Sequence, residues 1–399
     1  MIPTGNPTER NAARVGFGSD VELVTDFPQF RYSMGEVRRA GKALKGDIIW
    51  TEDGADDIKE IFRIANNWRD SHAYPMRRLR SELSGQIRRL KGSGITVARL
   101  KRMHSIRKKL RAISANLNHI QDLGGCRAIL PTIRDAKLLI NACRENLRHD
   151  RHKENDYINH PKPDGYRCHH IVFKFVGTEE ATVFDGRRVE IQIRTRLQHS
   201  WATAVEAVGL FRNEDIKGGG GNPEWRRLFE LMSSEFAIAE CCPELPSAPT
   251  RAERIAEIKE LDRRLKAANL LENLSQAFRY LDSYLSESSK YFLIKYNNID
   301  ATVDVVGYST PISGTKSFNE AENNGGQINS VLVEADKIET LKEAYPNYFG
   351  DVQLFKSNLK SITRGKGAKE YTMPPQATVP PSPKEAPDTS WFRRHKRWN

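Results

Sequence analysis

The run Val189-Glu190-Ile191-Gln192-Ile193-Arg194, followed by Thr195, alternates apolar and polar side chains. Period-two alternation is the mark of a strand with one buried face. Val189, Ile191 and Ile193 are then core, and Glu190, Gln192 and Arg194 share the opposite face. That second face lines up a carboxylate, an amide and a guanidinium, a set able to hold a metal and bind phosphate. It points to nucleotide chemistry.

Other strand-like runs stand at Cys126–Leu130, Cys168–Val176 and Ala181–Phe184, with Asp185-Gly186 as a hairpin turn signal before the Val189 strand. Helical spacing covers about 55–90 (Ile58, Ile61, Phe62, Ile64, Ala65, Trp68), a basic stretch around 99–114, and then 133–148, 196–212 and 225–239. Interleaved helices and strands with an antiparallel pair predict an α/β (α+β) domain with a mixed sheet, not a doubly wound one. The glycine run 218–221 reads as a flexible break, and the proline-bounded stretch 243–249 as the domain boundary. Charged helix follows at 250–288, strands at 291–297, 301–308 and 328–334, and a short helix at 336–344. The expected division is an arm and helix over 1–45, a first domain over 46–242, a smaller α+β domain over 250–363, and a basic, Pro-rich, disordered tail from 364.

With 399 residues, two folded domains plus tails are expected. No apolar run reaches the roughly 20 residues of a membrane span, and no signal-peptide layout opens the chain. Five cysteines without a CxxC pair suggest a reducing cytoplasm. The net charge of +12 implies polyanionic company. Much of it crowds between Arg77 and Arg111, where Glu82 is the only acid.

Four constellations carry the chemistry. Asp122-Leu-Gly-Gly-Cys-Arg127 puts an acid at the mouth of a strand, where glycines leave room for a ligand. Pro161-Lys-Pro-Asp-Gly-Tyr166-Arg-Cys-His-His170 is a rigid loop entering a strand; Tyr166, His170 and Lys174 fall on one face, so a ring can stack a base while His and Lys reach phosphate. Arg99, Lys101, Ser105 and Lys109 lie on one helix and its entry, the fixed cations a triphosphate requires. Glu190, Gln192 and Arg194 are followed by His199, Trp201 and Glu206, and Glu190 with Asp122 would make a two-carboxylate Mg²⁺ site. Zinc-motif spacing and a phosphate-binding P-loop are both missing.

In this order and spacing, over roughly residues 50–240, these blocks resemble the RelA/SpoT alarmone synthetase domain, which has a nucleotidyltransferase-like fold with a mostly antiparallel mixed sheet flanked by helices. The resemblance implies transfer of pyrophosphate from ATP to the 3′-hydroxyl of GDP or GTP, giving AMP and guanosine tetra- or pentaphosphate. It implies that Arg99, Lys101, Ser105 and Lys109 bind ATP, with Arg99 on the adenine, and that Asp122 holds Mg²⁺. Tyr166 would stack the acceptor base. Glu190 would share the metal or draw the proton from the attacking hydroxyl, while Gln192, Arg194, His170 and Lys174 orient acceptor and phosphates. Long members carry an N-terminal hydrolase domain, for which the residues ahead of this region are too few, so no hydrolase activity is expected. Lys153-Glu154-Asn155-Asp156 replaces a basic element of the long synthetases, which leaves the guanine-nucleotide preference open.

The segment Ala344-Tyr345-Pro-Asn-Tyr348-Phe-Gly-Asp351 is similar to the C-terminal region of fused toxin–antitoxin (CapRel-like) relatives. There a Tyr-x-x-Tyr element blocks the ATP site and the acceptor is the 3′ end of tRNA, so Tyr345 and Tyr348 become inhibitory candidates. Three readings stand: an alarmone synthetase, a self-inhibited tRNA pyrophosphokinase, and a silent nucleotide- or RNA-binding module. Homo-oligomers occur among small relatives.

Overall fold

The computed structural model describes residues 24–46, 55–112, 115–212, 214–274, 291–297, 302–309, 313, 317, 328–334 and 348–369. Five strands form one mixed sheet in the order β1 (Ile95–Leu100), β2 (Gly124–Leu130), β5 (Arg188–Thr195), β4 (His169–Lys174), β3 (Asp150–Asp156). Only β2 and β5 run parallel; the other pairs are antiparallel. The mixed, mostly antiparallel sheet expected from the sequence is present.

One face of this sheet is a core. Leu100, Cys126, Ala128, Phe173, Val189, Ile191 and Ile193 pack against Leu79, Leu83 and Ile87 of α3 (Ala73–Arg89) and Leu139 and Cys143 of α5 (Ile133–Asn146). Each fully buried Val, Leu, Ile or Phe among them contributes about 1.5–3 kcal/mol. Alternation then leaves Arg99, Gly125, Arg127, His170, Glu190 and Gln192 on the opposite face.

Two further clusters frame that face. Helices α1 (Met34–Lys45), α2 (Ala55–Asp70) and α4 (Met103–Ala112) join Leu117, Ile120 and Leu123 in a small core. Helix α1 opens with a capping box from Ser33 to Glu36. On the other flank, α6 (Arg196–Phe211), α7 (Pro223–Ala239), α8 (Arg251–Leu265), a helical stretch over 267–274 and α9 (Tyr348–Thr363) share one core. Helix α7 starts after the glycine run because Asn222 caps it and Pro223 occupies its first turn. Val352, Phe355, Leu359 and Ile362 of α9 are fully buried, with Phe355 5.6 Å from Phe229 and 5.7 Å from Phe236 between ring centroids. A second, antiparallel sheet has the order β7 (Thr302–Tyr308), β6 (Tyr291–Asn297), β8 (Ile328–Glu334).

Several local expectations are corrected. Arg99 lies on β1, not on a basic helix, and α4 begins only at Met103; pairing with β2 overrides the helical look of this arginine-rich stretch. The helical run 55–90 is two helices, α2 and α3, separated at Ser71-His72. Glu179–Phe184 is a 3₁₀ turn where a strand was expected. It folds back so tightly that a Cβ on Gly177 would collide with the Ala181 carbonyl oxygen. Strand β3 was not foreseen: its residues Asp150–Asp156 are almost all polar because it is an edge. The helix expected at 336–344 lies outside the described residues. Among those residues, no helix is long and apolar enough to cross a membrane.

Candidate active site

Strand register sets the site out in rungs. Arg99, Gly125, Glu190 and Val172 lie opposite one another across β1, β2, β5 and β4. The next rung is Val97, Arg127, Gln192, His170 and, on β3, Asn155. Gly125 has no side chain, so a gap separates Arg99 from Glu190 on this face. Beyond the last ladder pair, the Lys101 N–H donates to the Leu123 carbonyl at 2.7 Å, which carries Lys101 alongside Asp122.

Asp122 is bracketed by cations. Lys101 Nζ and Lys109 Nζ each donate to one of its carboxylate oxygens at 2.8 Å. Burial pushes the Asp122 pKa up, but the two ammonium groups outweigh it and hold the carboxyl below its ordinary range. Glu190 accepts from Gln192 Nε2 at 2.7 Å, and its other oxygen sits 3.2 Å from His170 Nδ1. Burial again works to raise its pKa; the His170 hydrogen bond and charge prevail and lower it, against a smaller raising effect from Asp122. That mutual effect places the two carboxylates within electrostatic reach. Both are ionised and about five-sixths buried, with side-chain exposures of 18% and 16%.

His170 connects Glu190 to Tyr166, whose hydroxyl is 2.9 Å from Nε2. Burial acts to lower the His170 pKa, and the anionic side, Cys168 and Glu190, raises it. The Cys168 thiol donates to the Ile193 carbonyl at 3.4 Å, so the carboxylate is the partner that keeps the imidazole charged. Tyr166 itself precedes β4 and lies in a loop, not on the strand face expected for it. Gly165, with φ +91°, turns that loop, and Ser233 of α7 donates to its carbonyl at 2.6 Å. The Tyr166 ring meets Trp201 edge-on, with centroids 6.4 Å apart. Together with Val205, Ile216 and Phe229, these two rings line a mostly apolar cavity of about 220 Å³.

The remaining expected residues fall around this centre. Ser105 is on the first turns of α4, half-buried, on the helix that supplies Lys109. Arg194 is 2% exposed on the same face of β5 as Glu190 and Gln192. Lys174 ends β4 in register with Arg188, two steps along the strand from Val172, which pairs with Glu190. His199 is fully buried on α6 and Glu206 half-buried on the same helix. Tyr348 begins α9, and Tyr345 lies outside the described residues.

Three residues were missed. Arg127 follows Gly125 by two and shares its face, so the alternation that exposed Glu190 also exposes it. Tyr157 stands 5.3 Å from the His170 ring, centroid to centroid, and Lys162 Nζ lies 4.9 Å over Tyr157 and 5.2 Å over Tyr166. No local pattern signals either, because the loop brings them together. Glu154 of the Lys153–Asp156 segment is engaged by Arg144 at 2.6 Å and by His169 at 2.7 Å.

Among the described residues no group of three or more His, Cys, Asp and Glu forms a metal cluster. Two ionised carboxylates from separate segments do fit a hard divalent cation that takes its other ligands from water and phosphate. Both Asp122 oxygens now hold ammonium groups, so the charge such an ion would neutralise is already balanced by lysine.

Residues 98–215 match the family described as RelA_SpoT, "Region found in RelA / SpoT proteins". The GTP pyrophosphokinase of Photobacterium angustum is 25% identical over 234 residues, which cover 57% of this chain and 27% of that protein. GTP pyrophosphokinase YwaC of Bacillus subtilis is 30% identical over 127 residues, covering 30% of this chain and 60% of the relative. The chain therefore spans about a quarter of the first relative's length and less than two thirds of the second's. Among solved structures, small alarmone synthetase 1 of Bacillus subtilis bound to its product pppGpp is similar at 22% identity and a TM-score of 0.37, over 42% of this chain and 89% of that one. The stretch that carries Arg99, Asp122, Tyr166 and Glu190 is thus the part of the chain that matches the region found in RelA / SpoT proteins.

Proposed function

We propose that this chain is a pyrophosphokinase that moves the β,γ-diphosphate of ATP onto the 3′-hydroxyl of a guanosine di- or triphosphate. The observation that carries the reading is the pair of ionised, largely buried carboxylates, Asp122 and Glu190, one held by two lysines and the other by a charged histidine. A module that only binds anions gains nothing from two such acids, since they repel phosphate.

In the proposed reaction the 3′-oxygen attacks the β-phosphorus of ATP. The bond from that phosphorus to the α–β bridging oxygen breaks, and AMP leaves with the bridging oxygen. The hydroxyl proton passes to a carboxylate oxygen of Glu190. His170, already protonated, cannot take that proton; it holds Glu190 in place and donates to the Tyr166 oxygen. Lys101, Lys109 and Arg99 neutralise phosphate, and Arg127 extends their row. Asp122 and Glu190 would hold Mg²⁺, which supplies further charge neutralisation when bound. The Tyr166 ring would stack the acceptor base, with Lys162 moving off it. Catalysis of this kind is positioning and electrostatics, with no covalent work for the protein.

The test is transfer of label from γ-³²P-ATP in the presence of Mg²⁺ and GDP or GTP, for the wild type and for Glu190→Gln. Labelled guanosine tetra- or pentaphosphate, lost in the variant while its melting curve is kept, supports the proposal. Label on deacylated tRNA alone would move the acceptor to RNA. Absence of label on either acceptor would refute the transfer.

A further inference from the structure

Arg167 directly follows Tyr166 and takes no part in the proposed transfer, yet its guanidinium is buried, at 3% exposure. A charge in that position is costly unless its donors meet acceptors. Nη1 donates to the Ile158 carbonyl at 3.0 Å, and Nε donates to the Ser233 hydroxyl, also at 3.0 Å. Ser233 is buried in the middle of α7, and the same hydroxyl donates to the Gly165 carbonyl at 2.6 Å. A hydroxyl can accept and donate at once, and hydrogen bonds linked in this way strengthen one another. The residues before and after Tyr166 are therefore fastened to a single oxygen atom. The loop's own bonds complete the turn: the Gly165 N–H donates to the Lys162 carbonyl at 2.9 Å, and the Lys162 N–H to the Tyr166 carbonyl at 3.2 Å. Helix α7 is a firm post for this fastening. Two residues on, Glu235 accepts from Arg254 Nε of α8 at 2.8 Å, with both side chains almost wholly buried, and Phe236 packs on Phe355 of α9.

We infer that Ser233 and Arg167 are positioning residues for the acceptor, a buried latch that ties the loop to α7 and holds the Tyr166 ring ready for the acceptor base. The inference rests on the role given to Tyr166 in the proposed function. Neither latch residue lines the cavity beside Tyr166, so each acts through that ring. Without the Ser233 hydroxyl, the Arg167 Nε–H and the Gly165 carbonyl both lose a partner, and the loop gains conformations in which the ring is out of place. Apparent affinity falls by the fraction of time the competent conformation is populated. Glu190 and His170 stand on strands, and the lysines of the ATP side on β1's end and α4, so the chemical step and ATP binding do not share this dependence.

The test compares Ser233→Ala with Ser234→Ala in the full chain. Ser234 is fully buried on the same helix, but its hydroxyl has no hydrogen-bond partner among the described residues, so it controls for the loss of a buried hydroxyl as such. Two readouts are taken: amide hydrogen exchange over residues 161–168, and steady-state kinetics with GDP and ATP varied in turn. In Ser233→Ala, exchange of the loop should quicken and the KM for GDP should rise, each on the order of fivefold to tenfold, while kcat and the KM for ATP hold. Ser234→Ala should match the wild type in both. If Ser233→Ala folds poorly, Ser233→Cys keeps the size of the side chain with a weaker donor and should show the same pattern at smaller amplitude. Exchange needs no turnover. If the wild type transfers no label to GDP, the proposed reaction fails, and loop exchange alone decides the latch. Unchanged loop exchange, an unchanged KM for GDP in an active enzyme, or equal effects of the two alanine variants would overturn the inference.

Discussion

Phe355→Ala tests whether helix α9 helps to shape the cavity beside Tyr166, where the proposed reaction seats its acceptor. Phe355 is fully buried, and its ring packs against Phe229 and Phe236 at 5.6 and 5.7 Å. Removing a buried phenyl ring costs about 3–5 kcal/mol in transfer and cavity terms. At roughly 2–4 °C per kcal/mol, melting should fall by about 6–20 °C. The loss should also reach the site along a specific route. Phe229 touches Trp201 at 5.9 Å, and its carbonyl accepts from Trp201 Nε1 at 2.8 Å. Trp201 in turn meets Tyr166, and all three line the 220 Å³ cavity. If Phe229 relaxes toward the void, the acceptor loses fit by about 1 kcal/mol, a roughly fivefold rise in its KM. The ATP side, built on α4 and β1, should keep its KM. Thermal melts and steady-state kinetics with each substrate varied provide both readouts, and Phe355→Leu should show a smaller effect of each kind. A melting shift under 2 °C would refute the packing argument. Equal rises in both KM values would refute the route.

Other perturbations separate the remaining parts of the site. In His170→Gln, Glu190 loses the cation that lowers its pKa, so the acid limb of the kcat profile should move to higher pH. The sign follows from linkage. Ionised Glu190 contributes above the ordinary carboxylate range, and that contribution is lost as pH falls through its depressed folded value. The His170 contribution, whose folded pKa is raised, is full below about 6.5 and fades as pH climbs through that higher value. An unmoved acid limb would exclude the pair. Lys109→Met removes one of two charged hydrogen bonds to Asp122 and a phosphate-facing cation. The KM for ATP should rise on the order of tenfold, as expected for a charged contact worth about 1.5–3 kcal/mol, while the acceptor KM holds. Gly165→Ala puts a Cβ at φ +91°, 2.9 Å from Ser233 Cβ and 3.3 Å from the Trp201 ring. At about 1–3 kcal/mol of strain, it should lower the melting temperature and raise the acceptor KM; an unchanged KM would show that Tyr166 does not depend on that turn.

The parts of the site that could be read from residues alone are those governed by a local period. Glu190, Gln192 and Arg194 share a face because a strand repeats every two residues, and the same rule applied to β2 exposes Arg127. Lys109 was legible for its charge but not for its partner. Its bond to Asp122 depends on α4 packing beside the chain that enters β2, an arrangement set by Ile106, Leu110 and Leu123 in one core. Arg99 reads in the sequence as part of a basic helix or its entry, and only the β1–β2 ladder decides otherwise. Tyr166 was assigned to stack a base by its motif, yet its reach to His170 comes from a left-handed glycine and a serine on α7. The proline-bounded stretch 243–249 reads as a boundary in the sequence, but it says nothing of what packs across it. Val352, Phe355, Leu359 and Ile362 return to the α6–α7 core from far along the chain, and no local pattern can announce a partner so distant. The cavity beside Tyr166 therefore depends on packing from both sides of that break. A chain cut near Pro243 would expose Phe229 and Phe236, and a change in its activity would report lost packing as readily as lost inhibition. Point variants at Phe355 keep the helix in place and remove that ambiguity.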